Sequence, residues 1–325
     1  MQQEPFLRIM VSQKKKIYVI INPVSGTSSK QNIPHKIAEM LDARKFDLHI
    51  FITGYAGHGS EIAKQAIKDN VDYVIAVGGD GTVNEVASTL VDSNTTLGII
   101  PLGSGNGLGR DLNIPMDAKK AISVILEENV IAIDYGKVNE RIFFCTCGVG
   151  FDAEVAAKAS GKKNRGSLMY IKNMLETFFQ QKPQTYEIIC PEGIIKDEAF
   201  VVTCANASQY GYNAHIAPHA DIQDGLMNVA ILKPLSILDV PQTSVQLFTK
   251  KIDESSKMIE LITNEVTIKR EHGGVMHIDG DPVKMGKEIH VKIFQQGLKV
   301  LVPKDPPKKN PLDPQEILLR VLGSI

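Results

Sequence analysis

The sequence predicts a doubly wound α/β domain followed by an antiparallel β-sandwich domain. Three observations lead there. Up to about residue 135, short apolar runs alternate with stretches whose apolar residues recur at helical spacing. Three of those runs break off in turns rich in glycine and small polar residues, the arrangement expected where parallel strands open onto one crevice. Beyond residue 135 strand follows strand with few helical interruptions, the pattern of a sandwich or barrel. The expected division is residues 14–136 for the α/β domain, joined by a tail helix within 305–325, and 137–304 for the sandwich.

Ile17 to Ile21 reads as a buried strand and runs into Asn22-Pro23-Val24-Ser25-Gly26, a turn of small polar groups in which Pro23 fixes the backbone. Its glycine spacing is neither the dinucleotide fingerprint nor the P-loop. Residues 34–41 are expected to be helical, with Ile37 and Leu41 on one face, and Leu48 to Ile52 is the next strand, ending at Thr53-Gly54. Ser60 is positioned to cap a helix whose buried stripe is Ile62, Ala63, Ala66 and Ile67. Tyr73 to Val77 is apolar and β-branched, as in a parallel strand buried on both faces.

The following Gly78-Gly79-Asp80-Gly81-Thr82-Val83-Asn84-Glu85 joins that strand to a helix marked by Val83, Val86, Ala87 and Leu90. Unpaired N–H groups and the helix dipole favour an anion at such a junction, and glycine lets the backbone approach it. Asp80 would repel a phosphate, so its useful roles are holding Mg²⁺, accepting a proton, or anchoring the loop. The strand Leu97 to Pro101 then leads to a third turn, Gly103-Ser104-Gly105-Asn106-Gly107, and Asp117 is expected to cap a helix through Ala118, Ala121, Ile122 and Ile125.

The later strands are expected at 142–149, 186–190, 199–204, 227–232, 265–270, 275–279, 289–294 and 298–302, with one apolar-striped helix at 167–180. Asp221 and Asp224 with Gly225 form an acidic turn of oxygen donors suited to a hard cation. Cys145 and Cys147 share one face of the first of these strands and read as buried thiols in a reducing compartment rather than a metal site. Lys plus Arg number 36 against 37 Asp plus Glu, so no global field recruits nucleic acid. No run approaches a transmembrane span, which would leave a lipid substrate to be met at the bilayer surface. After the proline-rich 304–311, Asp313-Pro314-Gln315-Glu316 opens a helix with Ile317, Leu318, Val321 and Leu322 on one face.

Asn22-Pro23-x-Ser25-Gly26, Gly78 to Glu85 and Gly103-Ser104-Gly105-Asn106, at these separations, resemble the diacylglycerol kinase and sphingosine kinase catalytic family, in particular its soluble bacterial lipid kinases. Four later blocks keep the family's order: Gly148 to Ala153, Asp224 to Val229, Ile278-Asp279-Gly280-Asp281, and Gly297 to Pro303. The resemblance implies an ATP site in the α/β crevice with lipid entering between the domains. It implies nucleotide contacts from Asn22, Pro23, Val24, Ser25, Gly26, Thr53, Gly78, Gly79, Asp80, Gly81, Thr82, Asn84, Glu85, Gly103, Ser104, Gly105 and Asn106, and a C-terminal helix returning to the first domain. It also implies a structural Mg²⁺ site at Asp224 with backbone carbonyls near Asp221 and Leu226.

Two positions depart from the family pattern. Gly107 stands where the bacterial diacylglycerol kinases carry Asp, which turns the expected substrate toward sphingoid long-chain bases. Asp281 stands where the family has the Glu proposed as base, which withdraws the carboxylate by about one methylene. The expected function is ATP- and Mg²⁺-dependent phosphorylation of a primary hydroxyl of diacylglycerol or a long-chain base, with Asp80 organising metal and phosphates and Asp281 taking the proton. The expected setting is cytoplasmic and peripheral to the membrane, and a homodimer is compatible with the sequence. The rival readings are an NAD kinase-like phosphotransferase, favoured less by Asn84-Glu85 and the Leu298 to Pro303 block, and a nucleotide-binding regulator without catalysis.

Overall fold

A computed structural model of the chain describes residues 14–24, 32–150, 153, 183–236 and 238–305. The helix expected at 167–180 and the tail helix after 311 lie outside the described residues, as do Ser25 and Gly26. The α/β half runs β1 (Lys15–Ile21), α1 (Ile33–Met40), β2 (Phe46–Ile52), α2 (His58–Lys68), β3 (Tyr73–Gly78), α3 (Asp80–Leu90), β4 (Thr96–Pro101), α4 (Gly107–Asp111) and α5 (Ala118–Glu127). Its four strands pair in parallel in the order β2-β1-β3-β4. The chain moves outward one way from β1 to β2 and the other way from β3 to β4, so the order reverses between β1 and β3. That is where an open α/β sheet leaves a crevice beyond its carboxyl ends.

Every residue of β3 and β4 is buried, because helices cover both faces of a parallel sheet. Asp117 caps α5 as expected, accepting the Lys120 N–H at 3.0 Å. Ser60 does not cap α2: the helix begins two residues earlier behind Gly57, which has φ 93°. A left-handed backbone at Gly57 turns the chain into the helix, and the Ser60 hydroxyl is used against Thr89 of α3, 2.8 Å away.

The remaining elements are β5 (Val130–Val138), β6 (Arg141–Phe143), β7 (Thr146–Gly150), β8 (Gln184–Cys190), β9 (Gly193–Ala199), β10 (Val201–Ala205), β11 (Met227–Leu232), α6 (Val240–Thr249), β12 (Met258–Thr263), β13 (Glu265–Arg270), β14 (Gly274–Ile278), β15 (Asp281–Met285) and β16 (Glu288–Leu301). Two sheets result. One is antiparallel, in the order β12-β11-β10-β7-β14-β15. The other continues the parallel sheet through β16 into β13, β8 and β9, with β5 and β6 attached at β16. Val149, Val202, Val229 and Met276 of the first sheet face Ile188, Ile268, Ile289 and Val291 of the second in one buried core.

The two strands expected at 289–294 and 298–302 are a single strand with a bulge between Phe294 and Leu298. Along one edge β16 pairs with β5; along the other it pairs with β13 and then with β4 at Val300. The strand expected at 142–149 is instead broken at Phe144-Cys145. Cys145 consequently belongs to the core of the α/β half and Cys147 to that of the sandwich, rather than both sharing one face. Both are free thiols.

Candidate active site

The carboxyl ends of the parallel strands are stitched together by backbone bonds that continue past the sheet. Thr53 N–H donates to Ile21 O at 2.9 Å, Asn22 N–H to Val77 O at 3.1 Å and Leu102 N–H to Gly78 O at 2.7 Å. The turns after β1, β2, β3 and β4 therefore form one continuous edge. On it, the Asn22 amide accepts the Val24 N–H at 3.0 Å and donates from Nδ2 to the Thr82 hydroxyl at 3.0 Å, joining the β1 turn to α3.

The β3 and β4 turns touch directly. A Cβ on Gly103 would lie 2.5 Å from the Gly79 Cα, and one on Gly105 would lie 2.8 Å from Asp80 Oδ2. Only glycine permits that approach. Asp80 fastens the contact: Oδ2 accepts the Asn106 N–H at 2.8 Å and Oδ1 the Gly107 N–H at 2.6 Å. The carboxylate of one helix start thus caps another, since Asn106 is the left-handed residue preceding α4. Asn106 itself closes the loop by exchanging side-chain bonds with the Gly103 backbone at 3.0 and 2.8 Å. Arg110 Nε donates to Gly105 O at 2.7 Å, and burial lowers its pKa against the opposing pull of Asp80.

Of the roles open to Asp80, loop anchoring is the one its hydrogen bonds display. The N-terminus of α3 carries no side-chain cap, and the positive end of its helix dipole there favours an anion. Glu85 points elsewhere: its Oε1 accepts the Ser60 N–H at 2.9 Å and so holds α2 against α3.

Between these turns and the sandwich lies a pocket lined by Asp80, Asn84, Asn106 and Gly107 on one side and by Thr146, Tyr210 and Asp279 on the other. Asp279, like Thr146 and Tyr210, is a pocket residue to which the sequence reading gives no role. Desolvation raises its carboxyl pKa from 3.8 to about 6, against the opposing effect of three backbone N–H donors. In the sequence it stands within the Ile278-Asp279-Gly280-Asp281 block as an Asp-Gly pair between two apolar runs, which reads as a hairpin turn and gives it no role of its own. Asp281 is exposed at the start of β15 and is not among the residues lining the pocket.

The Asp221, Asp224 and Leu226 turn is a separate place. Asp221 Oδ1 accepts the Gln223 N–H at 3.0 Å and Asp224 Oδ1 the Leu226 N–H at 2.8 Å. Beneath it, fully buried Asp134 accepts the Gly225 N–H at 2.6 Å and the Gln296 N–H at 2.7 Å. Burial, with a smaller contribution from Asp224 and Asp221, raises the Asp134 pKa. Among the described residues no three His, Cys, Asp or Glu side chains gather into a metal-ligating group.

Comparison with known proteins agrees with this geometry. Residues 16–138 match the diacylglycerol kinase catalytic domain, and residues 145–302 match the YegS C-terminal NAD kinase β-sandwich-like domain. The chain is 29% identical over 287 residues to lipid kinase YegS of Escherichia coli (strain K12), covering 86% of this chain and 94% of that protein. It is equally similar to the probable lipid kinase YegS of Shigella boydii serotype 18. A crystal structure of a diacylglycerol kinase from Bacillus anthracis superposes with a TM-score of 0.73 over 90% of this chain and 98% of that one, at 20% identity, which establishes the common fold. Residues 16–138 and 145–302 are thus the catalytic and β-sandwich domains of a diacylglycerol kinase-like lipid kinase, a phosphotransferase that uses a nucleotide donor.

Proposed function

We propose that the protein transfers the γ-phosphoryl group of ATP, with Mg²⁺, to a primary hydroxyl of diacylglycerol or of a sphingoid long-chain base at a membrane surface. The observation that carries this reading is the Asp80 bridge, which holds two glycine turns and two helix starts around one anion-favouring crevice. Phosphoryl transfer requires alignment and charge neutralisation more than covalent help from the protein. Preorganised turns are therefore the machinery such a reaction needs.

In this reading Asn22, Pro23, Val24, Thr53 and the residues of the two bridged turns bind the nucleotide. Bound Mg²⁺ supplies charge neutralisation on the phosphates. Asp80 is its candidate protein donor, since a carboxylate accepting one N–H on each oxygen keeps further lone pairs. The lipid hydroxyl oxygen forms a bond to the γ-phosphorus as the bond to the departing ADP oxygen breaks, and the hydroxyl proton passes to Asp281. The Asp221–Leu226 turn offers carboxylate and carbonyl oxygens only, the donor set of a hard cation, and supports a second, structural Mg²⁺.

Gly107 leaves ordinary contact distances to Tyr210 O, Cys145 Sγ and Asp80 Oδ1, at 3.4, 3.6 and 3.7 Å from a Cβ built there. A carboxylate at that position would face Asp80 and a carbonyl. Glycine leaves that space open, and the small residue that sphingoid-base kinases carry at this place is what turns the reading toward a long-chain base. The test is mass spectrometry of products after incubating the protein with ATP, Mg²⁺ and a total lipid extract, with NAD in a parallel reaction. A phosphorylated diacylglycerol or long-chain base, absent when EDTA is added, is expected. Phosphorylation of NAD alone would overturn the reading.

A further inference from the structure

Asp279 and Gly280 close the hairpin between β14 and β15, with φ of 47° and 85° and Ile278 paired to Asp281 across the turn. Two successive positive φ values define the type I′ turn that Asn-Gly and Asp-Gly favour. The turn needs no negative charge, because Asn serves it at least as well. Asp279 nevertheless carries a carboxylate, and the carboxylate is turned inward. Oδ2 accepts the Phe144 N–H at 2.8 Å and Asn84 Nδ2 at 2.9 Å; Oδ1 accepts the Cys145 N–H at 2.8 Å and the Thr146 N–H at 3.0 Å.

None of the four donors belongs to the hairpin. Two come from the break between β6 and β7, one from Thr146 at the start of β7, and the fourth from α3, one helical turn beyond Asp80. Asn84 is held to this task, since its Oδ1 accepts the Ser88 hydroxyl at 3.0 Å and so directs Nδ2 at Asp279. A partly buried carboxylate is costly unless charge-assisted bonds offset it. The bonds that do so here all lead away from the turn.

We propose that Asp279 is a positioning residue for phosphoryl transfer, fixing α3 and its Asp80 in register with the hairpin that presents Asp281. The proposal rests on the reading of Asp80 and Asp281 given above. Through this one carboxylate, the nucleotide side of the crevice and the hydroxyl side become a single geometric unit. A misplacement of about 1 Å between reacting groups can lower a rate about a hundredfold, so the latch acts on turnover.

The experiment is a double-mutant cycle of Asp279→Asn and Asn84→Ala in the full chain, with kcat, KM for ATP and thermal midpoint measured for each variant. The Asp279→Asn change keeps the turn chemistry but offers one oxygen to four donors, while Asn84→Ala removes only the α3 limb. Each single variant is expected to lower kcat about tenfold or more, with a smaller change in KM for ATP. The double variant should lose no more than the worse single one, because both break the same link. Losses that multiply would show independent effects and overturn the proposal. A folded Asn84→Ala enzyme with unchanged kcat also overturns it, even if Asp279→Asn fails to accumulate. Asp281→Asn is run alongside: full activity there would sink Asp281 as base, while the cycle would still decide whether Asp279 and Asn84 set turnover through Asp80.

Discussion

Asp80 is at once a carboxylate set in an anion-favouring crevice and the fastener of that crevice. Both oxygens take backbone N–H groups of the neighbouring turn, so an amide in its place would turn an NH₂ toward one of those donors. Asp80→Asn is expected to lower lipid phosphorylation at least about a hundredfold while leaving the far-ultraviolet circular dichroism unchanged; near-normal turnover would remove Asp80 from the mechanism. The glycines give a stability counterpart. Gly103→Ala drives a methyl into the Gly79 backbone and is expected to cost about 1–3 kcal/mol in chemical denaturation. Gly81→Ala, exposed on α3 with nothing within 4 Å of the new Cβ, should gain about 0.5–1 kcal/mol from helix propensity alone.

Asp279 yields a pH dependence whose two halves have opposite signs. Its folded-state pKa is raised from 3.8 to about 6. Between those values the native protein holds the proton more tightly than the unfolded chain, so this group's contribution to stability grows as pH falls through about 6 and is lost as pH rises through it. The latch needs the charge, so activity should decline over the same acid limb. The neighbouring titratable groups are His277 on the hairpin, whose charge would lower the Asp279 pKa, Cys145 on the break, whose own pKa burial pushes well up, and Asp80 across the pocket. Asp279→Asn should flatten the stability difference between pH 5 and 7 and remove that acid limb from the activity of whatever folded enzyme remains. A wild-type profile without a limb near pH 6 would contradict the assignment.

At the scale of elements, what the sequence makes legible is set by burial on both faces. β1, β3 and β4 declare themselves as unbroken apolar runs because helices cover them above and below. β9, β12 and β15 escape a sequence reading because they lie at sheet edges, where half-exposed strands such as Gly193–Ala199 mix charge with isoleucine. The α6 segment escapes it because Pro241 at its first turn resembles a loop signal as much as a helix start. β16 reads as two strands because Gln295, Gln296 and Gly297 interrupt its apolar alternation. There the bulge turns polar residues outward and delivers the Gln296 N–H to Asp134. The glycine-rich turns are legible by type and spacing, whereas the bonds of Asp279 are not, since its partners lie 133 to 195 residues away in the chain.

At the scale of the whole molecule, β16 decides how far the halves are separable. Its Val300 pairs with Leu97 at the outer edge of the parallel sheet, and its earlier residues pair with β13. A fragment ending at residue 136 would leave that edge of β4 open and strip Leu298, Val300 and Leu301 from the first core. Such a fragment is expected to expose its amides to rapid hydrogen exchange and to aggregate, whereas the full chain should unfold in one transition by calorimetry. Two well-separated transitions would show that the halves fold independently.

The same strand has a mechanical meaning. Two lobes joined by a flexible linker can gape like a clamshell, but lobes that share a hydrogen-bonded ribbon resist bending across it and yield mainly to torsion. Any movement of one crevice wall past the other is therefore expected as a twist about β16 rather than a hinge, a twist that the proposed Asp279 bonds would oppose.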